Sequence, residues 1–306
     1  MIPVQTIADA PVILAAPAPR AARRMRSDIL ELIRPRMNLL VLGTTMVGCC
    51  MAAQVPADWL RLPWTLIGTA LCAASASILN QLVERRFDAL MARTANRPLP
   101  TGRIVPGHAL ALGLIAGVLG GAILWLLVNT LTALLGIFTM ASYVLLYTPL
   151  KRRTTLNTVV GAIPGAIPPV MGWTAITGTL APPAVALFAI LFIWQIPHFL
   201  AIAVLYREDY RKGGFQMLPV VDASGRMTGR QILFYAAALI PVSLAPVLLG
   251  IAGRLYLGSA LLLGVGLMYF AARAALRRAR VDARRLFLAS IIYLPILLTM
   301  LMLDRI

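Results

Sequence analysis

Polar positions in this chain are gathered rather than scattered. Runs of about twenty apolar residues, the length that crosses a hydrocarbon core as a helix, alternate with short polar stretches. Nine such runs are legible: 37–54, 64–83, 107–127, 130–147, 157–177, 183–205, 232–251, 255–272 and 286–303. The third and fourth meet at Asn129-Thr130-Leu131, which predicts a tight helical hairpin. An outer-membrane barrel would show alternating segments of about ten residues instead. The expected fold class is therefore all-α, a polytopic membrane protein with nine transmembrane helices.

Composition agrees. The 306 residues are 60% hydrophobic and 13% charged, where a soluble domain carries about 25% charged residues. The net charge of +17 would suggest nucleic acid if it formed a soluble face, but its placement is topological. With the N-terminus in the cytoplasm, 25 of the 28 Lys and Arg lie on the cytoplasmic side, leaving only Arg61, Arg254 and Arg305 opposite. That is the positive-inside pattern. The expected partner is the lipid bilayer and not nucleic acid. Cys49, Cys50 and Cys72 sit inside apolar runs and match no zinc or disulfide spacing.

Residues 1–36 read as a mobile cytoplasmic extension to a helical domain over 37–303. Its arginines follow the apolar stretch, whereas a signal peptide needs them before it. Its last part, SDILELIRPR, predicts a short amphipathic helix on the membrane surface. With no organelle-type leader and this charge bias, the bacterial inner membrane is the expected location, with the N-terminus and the long loops cytoplasmic.

Those long loops, 84–106 and 206–231, follow the second and sixth spans and hint at two halves facing one cavity. Asn80, Glu84 and Asp88 are spaced i, i+4, i+8, within about 80° of helical arc. Charge at membrane depth is costly and faces a cavity or a partner. Three oxygen-bearing side chains on one stripe suit Mg²⁺, which is often shared with substrate phosphates. Arg93 and Arg97 follow, with Arg85, Arg86 and Arg103 nearby; guanidinium forks match phosphate oxygens. Acids for metal and arginines for phosphate suggest a metal-bound diphosphate. The competing reading is a solvated helix end with ordinary charge pairs.

A second group closes the sixth span. His198 lies within it, a functional candidate by position or else a packing residue. Glu208 and Asp209 mark the exit, followed by Arg211, Lys212 and a glycine pair. Between the two groups come Lys151, Arg152 and Arg153, as phosphate contacts or as stop-transfer charge. The fifth span, GAIPGAIPPVMGW, has helix breakers that are tolerated where backbone lines a cavity or packs closely on a neighbour.

Three blocks, NQLVERRFDALMARTANRPLPTGR, YTPLKRRTTLNTVVGAIPGAIPPVMGW and WQIPHFLAIAVLYREDYRKGGFQMLPVV, resemble the UbiA superfamily of intramembrane prenyltransferases. Within it they resemble the protohaem IX farnesyltransferase (haem O synthase) branch. With the spans, the resemblance covers about 37–303. It implies helices around a central cavity, farnesyl diphosphate as donor, haem b as acceptor and Mg²⁺ as cofactor. It also makes a haem A synthase or terminal oxidase assembly the candidate protein partner. On this reading Asn80, Glu84, Asp88 and Asp209 hold the metal, and Arg93, Arg97, Lys151 and Lys212 take the diphosphate. His198 contacts the acceptor, its iron or a reacting water. Glu84 stands where the superfamily often has Asp, as in the haem branch. Tyr206 stands where the superfamily's second motif has Asp. Either Glu208 substitutes there, or one metal rests on the first stripe and the diphosphate. Two other functions remain open. A transporter would place its acids near the midplane, whereas these cluster at one face. An aromatic acceptor is disfavoured by His198 and the missing Asp.

Overall fold

A computed structural model describes residues 22–306. Ten principal helices account for most of them: α1 Ala22–Ile33, α2 Pro35–Ala52, α3 Leu62–Asp88, α4 Pro106–Leu127, α5 Thr130–Leu150, α6 Asn157–Thr177, α7 Pro182–Leu205, α8 Arg226–Leu248, α9 Arg254–Arg277 and α10 Arg280–Leu303. Eight of them, α3 to α10, are long and apolar enough to cross a membrane. The expected first span corresponds to α2, 18 residues long. Arg36 and Asn38 near its start keep it outside that set, so the described residues give eight clear spans where nine were expected. Leu39 and Leu40 of α2 are exposed, as suits a helix in lipid contact.

The extension expected to be mobile up to residue 36 is helical from Ala22 onward and packed from Asp28. Leu32 is fully buried, its carbonyl accepts from Gln81 Nε2 at 2.7 Å, and Asp28 pairs with Arg103 at 2.8 Å. These contacts bind α1 to α3 and to the loop after it. Arg34, with φ of 53° in the left-handed region, turns the chain before Pro35 opens α2. The expected surface helix is therefore α1, partly sunk into the fold. Residues 1–21 lie outside the described residues.

Helix order follows the chain: α3 packs on α4, α4 on α5, α6 on α7, α8 on α9 and α9 on α10, with α7 also against α8 and α10 and with α10 returning to α2. The main core lies among α7 to α10, around Leu187, Trp194, Leu239, Tyr256, Tyr293 and Leu297. The hairpin at Asn129 forms as expected: its Oδ1 accepts from Thr132 N at 2.9 Å and caps α5, while its Nδ2 donates to the Thr174 carbonyl at 2.8 Å.

The glycines and prolines of α6 resolve as close packing, not as an unwound segment. Pro164 lies inside the helix, and the joint at Ile167 keeps helical angles. A Cβ on Gly172 would stand 1.9 Å from the Thr45 carbonyl oxygen, and one on Gly48 2.0 Å from that of Pro169. The α2 and α6 backbones touch because neither helix carries a side chain there. Gly165 makes the same room for Gln195 of α7.

Candidate active site

The expected stripe lies on the last two turns of α3. Asn80, Glu84 and Asp88 are all buried. A buried carboxylate needs a cation or several donors, and each acid has one cation. Glu84 Oε1 accepts from Lys151 Nζ at 2.8 Å, and Asp88 Oδ2 accepts from Arg97 Nη1 at 2.7 Å. Asn80 Nδ2 donates to Thr148 Oγ1 at 2.9 Å, but its Oδ1 is buried without a partner.

The C-terminal end of α5 brings Thr148 and Lys151 to this stripe. The helix widens to a π turn over Ser142–Tyr147, and Thr148 Oγ1 donates to the Tyr143 carbonyl at 2.8 Å. Such one-turn insertions re-aim the residues that follow. Lys151 then lies 4.5 Å from the Tyr147 ring centroid and 5.9 Å from that of Phe215. Burial alone pulls its pKa down, but the Glu84 carboxylate outweighs burial, and the ammonium titrates above the ordinary lysine range. For Arg97, burial lowers the pKa and nearby Arg34 adds to this, against Asp88; a guanidinium stays charged at any physiological pH.

The second loop closes over the same mouth. Gln216 N donates to the Lys151 carbonyl at 2.6 Å, and Asn157 Nδ2 donates to the Gln216 carbonyl at 2.9 Å. Phe215 meets Phe87 of α3 edge-on at 6.3 Å and joins Met91 and Met217 in one apolar cluster. Arg93 lies over Tyr206 at 4.8 Å and Tyr210 at 5.6 Å. A cleft of about 370 Å³ results, lined by Glu84, Phe87, Thr148, Arg152, Arg153 and Phe215 among others. Arg152 stacks on Phe87 at 3.9 Å.

Other expected residues fall elsewhere. Glu208 is exposed and pairs with Arg211 at 3.1 Å. Asp209 is half-buried and Lys212 exposed, and neither has an ion pair with the α3 stripe among the described residues. Arg103 is committed to α1. His108 is exposed at the start of α4. His198 is half-buried between α7 and α10. Its ring stacks on Trp194 at 4.9 Å and lies 5.1 Å from Phe287, and Nδ1 is 2.7 Å from Ser290 Oγ. Thr148, Tyr147, Phe215 and Ser290 were not singled out from the sequence. The π turn leaves no local signal, and aromatic and hydroxyl residues are ordinary in apolar runs.

The donor set fits a hard divalent cation in part. Asn80 Oδ1 lacks a partner, and each acid engages its cation through one oxygen, leaving oxygen donors of the kind Mg²⁺ takes. Among the described residues no three His, Cys, Asp or Glu side chains form a ready cage.

Residues 41–294 match the UbiA prenyltransferase family. The chain is similar to the protoheme IX farnesyltransferase of Solibacter usitatus (strain Ellin6076), 50% identical over 287 residues, covering 91% of this chain and 98% of the relative. It is 44% identical over 302 residues to that of Koribacter versatilis (strain Ellin345), covering 95% and 97%. Among solved structures, a digeranylgeranylglyceryl phosphate synthase superposes with TM-score 0.77 at 18% identity, covering 92% of this chain and 98% of that one. A UbiA homolog from Archaeoglobus fulgidus bound to GPP and Mg²⁺ gives 0.67 at 18% identity, with 90% and 99% coverage. At such identity the structures bear on the fold alone.

Proposed function

The chain belongs to the UbiA prenyltransferase family, and from that membership we propose that it transfers a farnesyl group from farnesyl diphosphate to a vinyl group of haem b. Water adds to the product, giving haem O and diphosphate. The acceptor and donor follow relatives that share 40–50% of their residues over nearly the whole chain. The observation that carries the chemistry is the mouth itself. Two buried acids one helical turn apart, Glu84 and Asp88, are paired with Lys151 and Arg97 beside a cleft with two further arginines.

Each buried carboxylate has a cation as its partner. Asn80, Glu84 and Asp88, with Asp209 from the second loop, would hold Mg²⁺ through their oxygens, and Lys151 and Arg97, which stand beside two of these acids, would take phosphate oxygens. Mg²⁺ held there would add positive charge against the departing diphosphate. Arg93 and Lys212 complete the neutralisation. Cations aimed at charge that grows as the C–O bond breaks lower the barrier more than they tighten ground-state binding. The apolar helices keep water from the allylic cation until the haem vinyl group attacks it. Water then captures the new cation and loses a proton.

Membranes containing the chain, supplied with haem b and farnesyl diphosphate, are expected to yield a more hydrophobic haem on chromatography. An unchanged haem profile, with a phenolic acid prenylated instead, would transfer the reading to an aromatic acceptor. The bacterial inner membrane, the cytoplasmic side for the mouth and a haem A synthase or terminal oxidase assembly as partner belong to the same proposal.

A further inference from the structure

The environment of His198 fixes which of its nitrogens is free. Ser290 Oγ lies 2.6 Å from the Phe287 carbonyl oxygen and 2.7 Å from His198 Nδ1. A carbonyl cannot donate, so the short contact to Phe287 requires the single hydroxyl proton of Ser290. The hydroxyl can then only accept from His198, and Nδ1 must carry the imidazole proton. Nε2 is left with its lone pair and has no hydrogen-bond partner among the described residues.

The surroundings hold this state in place. Trp194 and Phe287 flank the imidazole at 4.9 and 5.1 Å. Trp194 Nε1 donates to the Ser290 carbonyl at 2.9 Å, so the residue that sets the tautomer is itself tied to the histidine's helix. His198 lies seven residues before the end of α7 at Leu205, about 10 Å into the span. A protonated group is costly at such depth, while a neutral imidazole with a free Nε2 lone pair is the commonest biological metal ligand. Metal-bound histidines generally donate their other N–H to an oxygen, which fixes the ring and raises its basicity.

We propose that Ser290 is a positioning residue for the acceptor: it locks His198 as the Nδ1–H tautomer so that Nε2 ligates the iron of haem b. The inference rests on the haem reading above. It adds the iron contact, the nitrogen that makes it and the residue that enforces it.

The test is a haemin titration of the full chain, purified in detergent and followed by visible absorption and electron paramagnetic resonance. The wild type is expected to give an imidazole-ligated spectrum, and His198→Ala to lose it. Ser290→Ala should weaken binding about 10- to 100-fold, the usual effect of losing a ligand's supporting hydrogen bond. Ser290→Thr, which keeps the hydroxyl, should restore it. A wild-type spectrum in His198→Ala overturns the ligation, and wild-type affinity and spectrum in Ser290→Ala overturn the positioning role. Farnesylation of haem is measured on the same preparations. Wild-type conversion together with an unaffected Ser290→Ala spectrum rejects this inference alone, whereas absence of conversion by the wild type rejects the functional reading beneath it.

Discussion

At the scale of single residues, the mouth is built from paired charges. Glu84 and Lys151 stabilise one another only as a pair, and removing one member of a buried ion pair typically costs about 3–5 kcal/mol. Lys151→Met should therefore do two kinds of damage: lower thermal stability and a turnover reduced about 100-fold or more, the scale seen when one preorganised stabiliser of developing charge is lost. Detergent melting curves and haem O formation would separate the two effects. Asp88→Ala is expected to reduce turnover strongly and to raise the Mg²⁺ concentration needed for half-maximal rate. Normal turnover at limiting Mg²⁺ would remove Asp88 from the metal site. The i, i+4, i+8 spacing was legible in the sequence because helical geometry alone aligns those side chains. Their partners were not, since Lys151 and Thr148 come from a helix that reaches α3 only through tertiary packing.

Among the elements, the α2–α6 contact depends on absent side chains. Gly43 and Gly172 offer a matched comparison. Nothing lies within 4 Å of a Cβ built at Gly43, while one at Gly172 meets the Thr45 carbonyl oxygen at 1.9 Å. Gly43→Ala should leave stability unchanged or raise it by roughly 0.5–1 kcal/mol, the helical preference for Ala. Gly172→Ala should lower it by about 1–3 kcal/mol through overpacking. Equal melting temperatures for the two variants would mean the helices separate without cost. The helix breakers of α6 announced an unusual segment in the sequence. Whether it unwinds or packs was decided by α2 and α7, the helices that supply the touching atoms.

For the whole molecule, the arginine distribution sets an orientation that labelling can check. Leu180 and Arg277 are exposed at opposite ends of the bundle. In intact bacterial cells, a membrane-impermeant maleimide should label Leu180→Cys, and Arg277→Cys only after permeabilisation. The reverse pattern would invert the molecule and put the mouth outside. The native cysteines give little background, because Cys49 and Cys72 are buried and Cys50 is half-buried.

Span positions and helical class were determined by the sequence itself, since each depends on local transfer free energy summed along the chain. The bounds of α4 to α7 differ from the apolar runs by three residues or fewer. The tertiary structure alone decided that α1 packs into the fold, that a π turn brings Lys151 to Glu84, and that Ser290 faces His198. Those outcomes join residues 49, 67 and 92 positions apart. No local pattern encodes such pairs, because the energy that selects them exists only once the helices share a buried interface.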